Sequence, residues 1–138
     1  MEKSRRFWLV LTFFYMLAIL WSSTIPSSSD TDGFSKRGLV MNLLHIPAYS
    51  LLTYFFLRTA SAECASTPGS GDGIPGRTTF MISALVFTAA VCFGIFNEFV
   101  QAHVPGREFS IGDMLRNALG AGLTLFIFRN GGRSINSV

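Results

Sequence analysis

Glu98, Gln101, Arg107, Asp113, Arg116 and Asn117 crowd into one stretch, Phe93 to Gly122, which reads FGIFNEFVQAHVPGREFSIGDMLRNALGAG. Two apolar helical runs flank a short polar turn there, with the ionisable and amide groups at or just inside their ends. Charged side chains at membrane depth are costly, so they pair with one another and mark functional sites. A second group lies upstream. Asn42, His45 and Tyr49 are spaced i, i+3 and i+7, so they share one helix face.

These residue types suggest specific chemistry. A histidine beside a carboxylate can act as general base or proton relay, with His45 as base and Glu98 or Asp113 orienting it. Arg107 offers a planar fork suited to carboxylate or phosphate. Tyr49, Gln101, Ser110 and Asn117 could line the same ligand site. Each group also has a purely structural reading. Ser110 is placed to cap the following helix, with Asp113 three residues later, a looser form of the capping box because Asp replaces Glu. Asp113 would also complement the helix dipole. Glu98 could simply pair with Arg107 or Arg116 across the turn. His103, on the turn, reads as solvated.

The elements that must position these residues are hydrophobic runs. The chain has 138 residues, 49% hydrophobic and 14% charged, with mean hydropathy +0.43. Soluble domains carry about 25% charged residues, so this is the composition of an integral membrane protein. Four runs are long enough to approach the ~20 residues that cross a bilayer: about 7–25, 39–57, 79–100 and 110–128. The sequence therefore predicts an all-α, single-domain bundle of four transmembrane helices. The first run follows MEKSRR but lacks a small-residue cleavage pattern, so it reads as an uncleaved helix. Pro47 removes one backbone bond in the second, which membrane helices tolerate when neighbours satisfy the freed group. Residues 59–78, rich in Gly, Ser, Thr and Pro, read as a flexible linker. Ala90/Gly94 and Ala118/Gly122 are small-xxx-small pairs that allow close helix approach, and Gly120 adds a smooth patch.

Lys and Arg set the orientation. Lys3, Arg5, Arg6, Arg58, Arg77, Arg129 and Arg133 lie on one side, against Lys36, Arg37 and Arg107 on the other. Both termini and the linker are thus expected in the cytoplasm, in a cytoplasmic (inner) membrane. The 101–109 turn then faces outside. His45, roughly 9 Å into the second run at 1.5 Å per residue, shares its depth with Glu98, Asp113 and Asn117. These groups can meet if the second, third and fourth helices are neighbours.

The basic residues form no stripe of the kind nucleic acids require. Cys64 and Cys92 have no metal-type spacing, so neither a metal site nor a cofactor is expected. H-E-x-x-H, G-x-S-x-G and Walker-type loops are absent.

The chain resembles VanZ-like membrane proteins over most of its length. The resemblance rests on the W-S-S-x-x-P exit from the first helix (Trp21, Ser22, Ser23, Pro26) and on His45 with Tyr49. Its strongest part is N-E-x-x-Q followed by P-G-R-x-x-S-x-x-D-x-x-x-N-x-x-G, here Asn97, Glu98, Gln101, Pro105, Gly106, Arg107, Ser110, Asp113, Asn117 and Gly120. Where the family often carries D-K ahead of the histidine, this chain has Ser35-Lys36-Arg37. The resemblance implies a small multi-helix membrane protein of the cell envelope, and the founding member is associated with resistance to the glycopeptide teicoplanin. It implies no reaction.

Three expectations stay open from sequence. The cluster binds an anionic lipid or lipid-linked precursor, with Arg107 as anchor. Alternatively it forms an intramembrane hydrolase or transferase site for a phosphorylated lipid. Or it fixes helix register in a larger membrane complex.

Overall fold

A computed structural model describes residues 2–25, 36–64 and 76–134, with side chains described over 5–25, 43–61 and 80–129. It contains four helices: α1 (Glu2–Ser23), α2 (Lys36–Cys64), α3 (Gly76–Gln101) and α4 (Ile111–Ser134). The side chains of Asn42, Lys36, Arg37 and Arg77 lie outside the described set. All four expected helices are present, and three of them are long and apolar enough to cross a membrane: Arg5–Ser23, Phe80–Gln101 and Ile111–Arg129. Leu85, Leu119, Phe126 and Phe7 are each at least 60% exposed. Apolar surface so extensive is incompatible with a water-facing monomer and fits lipid contact.

The largest departure from the sequence reading concerns α2. It extends to Cys64, so residues 59–64 continue the helix where a linker was expected. Thr-Ala-Ser-Ala-Glu-Cys is small and polar, but it contains neither Gly nor Pro, so nothing in it breaks a helix. Residues 65–75 lie outside the described set.

α2 and α3 each contact all three other helices, whereas α1 and α4 do not meet among the described residues. The most extensive packing is between α2 and α4. Burial of apolar surface drives little association in lipid, so close packing and interhelical hydrogen bonds must carry it. A Cβ built on Gly120 would lie 2.3 Å from the Ile46 carbonyl oxygen, so only glycine permits this crossing. The contact is reinforced by Ser50 Oγ donating to Gly120 O at 2.9 Å and Thr124 Oγ1 donating to Ser50 O at 2.9 Å. The crossing thus runs through Gly120. At Gly122 the nearest atom to a built Cβ is 3.9 Å away. Gly94 plays a similar part on α3, where a Cβ would press on Asn117 Cβ and Tyr49 Cε1, both at 3.3 Å.

On the other flank, α1 docks through polar and aromatic groups. Tyr15 Oη donates to Ala48 O at 3.2 Å, Thr12 and Thr59 hydroxyls lie 3.2 Å apart, and Arg58 stacks over Trp8 at 4.9 Å. Tyr49, Leu52 and Phe93 form the buried centre.

Candidate polar site at one end of the bundle

The end of α1, the first turns of α2, the end of α3 and the start of α4 meet at one end of the bundle, and the polar side chains gather there. The α3–α4 connection is short and well defined. Gln101 O accepts from Val104 N at 2.9 Å, and Val104 O accepts from Arg107 N at 3.1 Å. Pro105 and Gly106 occupy the two central positions of the second turn, and Gly106 has φ 81°. Proline followed by a residue with positive φ is the composition of a type II turn. Ser110 then caps α4: its Oγ accepts from Asp113 N at 3.2 Å and its carbonyl from Met114 N at 3.2 Å.

The expected meeting of His45, Glu98 and Asp113 takes place. Each offers one ligand atom, and these atoms lie within 4.8 Å of one another. Glu98 is fully buried, Asp113 is buried, and His45 is half-buried.

Each of the three is held by a further partner. His45 Nδ1 lies 2.9 Å from Asn117 Oδ1. A carbonyl oxygen can only accept, so Nδ1 carries the proton and Nε2 of the neutral ring keeps its lone pair. Glu98 Oε2 accepts from Ser110 N at 3.3 Å, while the buried Oε1 has no hydrogen-bond partner. Asp113 Oδ1 forms an ion pair with Arg116 Nη1. Arg116 therefore serves its own helix at i, i+3, rather than reaching Glu98 across the turn.

Arg107 is half-buried on the turn, within electrostatic reach of Glu98, and its buried Nε has no hydrogen-bond partner. Tyr49, 1% exposed, stacks on His45 at 6.5 Å with rings 10° apart, and its hydroxyl is likewise unpartnered. His103 is exposed, as expected for a solvated turn residue, with Nδ1 2.8 Å from Phe99 O.

Gln101 belongs to a neighbouring network. Its Nε2 donates to Ser23 Oγ at 3.1 Å, and Ser23 Oγ lies 2.6 Å from Asn97 Oδ1 and 2.8 Å from Ile19 O. One hydroxyl proton serves either acceptor, so this knot ties α1 to α3. The sequence motifs contained Ser23 and Asn97, but nothing in their spacing revealed that they touch across 74 residues. An apolar cleft between α3 and α4, lined by Val91, Ile95, Met114 and Leu115 among others, lies outside the polar cluster.

The arrangement is a half-buried imidazole beside two buried carboxylates, with one guanidinium at its rim. It can accept a proton at His45, hold a cationic centre between the carboxylates, and hold an anion at Arg107. A family model described as VanZ/LLP1 matches residues 2–132. No curated protein and no solved structure matches the chain. Since the matched region takes in α1 to α3, α4 up to residue 132 and every polar residue of the cluster, the chain belongs to the VanZ/LLP1 family.

Proposed function

We propose that the protein crosses the membrane four times and binds the phosphorylated headgroup of an anionic lipid or lipid-linked cell-envelope precursor at the polar end of its bundle. The fourth crossing is α2. Its 29 residues reach about 43 Å at 1.5 Å per residue, against a hydrocarbon core of about 30 Å. Its polar groups His45 and Ser50 face α4, where they are bonded. The Lys and Arg distribution supports cytoplasmic termini and an outward-facing α3–α4 turn, in a cytoplasmic (inner) membrane.

The observation that carries the binding reading is Arg107. Its guanidinium sits at the end of two crossing helices, where headgroups lie, with Nε unpartnered among the described residues. Bidentate donation to phosphate would use that capacity once a shift of the half-buried side chain uncovers Nε. The test is mass-spectrometric identification of phospholipids and lipid-linked precursors that copurify with the chain. Wild type retains an anionic species and Arg107→Ala loses it, whereas Arg58→Ala, stacked on Trp8, does not. Equal lipid content in wild type and Arg107→Ala contradicts the reading. A link to glycopeptide tolerance follows if the bound species is an envelope precursor, and teicoplanin susceptibility of cells expressing wild type or Arg107→Ala tests it.

The proximity of His45 to both carboxylates favours a second reading, hydrolysis or transfer on the same headgroup. His45 Nε2 would take a proton from water or an acceptor hydroxyl as that oxygen bonds to phosphorus. The phosphorus–oxygen bond to the leaving group would break, and the leaving oxygen would then take up a proton. Release of phosphate or a changed headgroup, lost in His45→Ala, separates turnover from binding. A purely structural cluster leaves both lipid content and turnover unchanged on substitution.

A further inference from the structure

We infer that His45, Glu98 and Asp113 form a binding site for a single divalent transition-metal ion, of the Mn2+ or Zn2+ class. One imidazole and two carboxylates are a mixed nitrogen and oxygen donor set, which suits these ions better than the all-oxygen cages of Ca2+. The ligand atoms already lie within 4.8 Å of one another. Donors about 2.1 Å from a shared ion sit about 3.0–3.4 Å apart, so shifts of about an ångström close the site.

Two independent features point to an ion. The first is Glu98 Oε1, which is buried in a fully buried side chain and has no hydrogen-bond partner. A buried carboxylate oxygen without a donor or cation is strongly disfavoured. The second is the pattern of outer contacts. Asn117 holds Nδ1 of His45, Ser110 N holds Oε2 of Glu98, and Arg116 holds Oδ1 of Asp113. Each side chain is thus held by an outer contact, and each retains a further ring nitrogen or carboxylate oxygen that could bind an ion. Metal ligands are commonly fixed in this way by outer hydrogen bonds.

The site stands apart from the headgroup-binding reading, since an ion can bind whether or not a lipid does, but it takes up the one lone pair of His45 that the turnover reading would use as base. It also removes an obstacle to headgroup binding. Two carboxylates repel a phosphate, whereas an ion held between them attracts one. Three protein ligands leave coordination positions for water or a phosphate oxygen.

The test uses the full chain in detergent, stripped with chelator and titrated separately with Mn2+ and Zn2+, with bound metal counted by mass spectrometry. One ion per chain is expected, with a rise in melting temperature as the metal concentration increases. Glu98→Gln and Asp113→Asn each reduce the affinity at least tenfold, and His103→Ala leaves it unchanged. Asn117→Leu keeps all three ligands and weakens binding about 10- to 100-fold by releasing His45. If a ligand variant fails to fold, the wild-type melting shift and Asn117→Leu decide. Absence of both stoichiometric uptake and a melting shift in wild type overturns the proposal. So does binding that Glu98→Gln and Asp113→Asn leave intact.

Discussion

Gly120 packs directly against the carbonyl of Ile46, so close that a methyl group at its Cα would sit 2.3 Å from that oxygen. The contact brings α4 onto α2 one turn from where Asn117 meets His45. Gly120→Ala must push the two backbones apart, since the obstructing atom is itself backbone. The expected cost is about 1–3 kcal/mol, the range for overpacking a tight interface. Gly122→Ala, whose added methyl meets only the Phe87 ring at an ordinary 3.9 Å contact, should change stability by less than about 1 kcal/mol. Unfolding in mixed micelles compares the two, and equal effects would show that the crossing is not at Gly120.

Ser110 holds α4 at its start through its hydroxyl, and it holds Glu98 through its backbone amide. Ser110→Ala removes only the first. A loss of about 0.5–2 kcal/mol is expected, and Ser110→Asp should restore most of it. A loss in both variants would indicate that the hydroxyl has some other role.

Arg116 and Asp113 pair at the edge of the buried cluster, with the arginine side chain 32% and the aspartate 12% exposed. Removing only the arginine leaves a carboxylate with a poor route to water. Arg116→Met should therefore destabilise by about 1–3 kcal/mol, reduced from a fully buried case by that exposure. Arg116→Met combined with Asp113→Asn should recover much of the loss. Additive losses in the double variant would contradict the pairing.

Orientation is tested by labelling. With Cys64 and Cys92 replaced by serine, a cysteine at His103 should react with an impermeant thiol reagent in intact cells. A cysteine at Glu2 should react only after permeabilisation. The reverse pattern would invert the topology inferred from the Lys and Arg distribution.

Much of this organisation is legible in the sequence, for identifiable reasons. Long, largely apolar runs mark the helices, and rise per residue places His45 level with Glu98 and Asp113. Ser110 and Gly106 announce their roles because a cap and a positive-φ turn depend on local residue type. Partner choice is less legible. Arg116 could reach Glu98 across the turn or Asp113 on its own helix, and only rotamers and packing select Asp113. The glycine at the crossing could not be chosen between Gly120 and Gly122 without the rotation of α4. The end of α2 was hidden because residues 59–64 have a linker's composition but no helix breaker. The three ligands of the ion site can be placed together by depth, but an ion is not expected from sequence because one His and two carboxylates from three helices form no metal-binding spacing motif.

Everything proposed for the cluster requires α2 and α4 to hold their polar side chains against each other. The most direct test is a double-mutant cycle on His45→Ala and Asn117→Ala, measured by reversible unfolding in micelles or bicelles. The 2.9 Å contact predicts a coupling of about 0.5–1.7 kcal/mol. Additivity within about 0.3 kcal/mol would mean that these side chains do not meet, and the shared site would be lost with them.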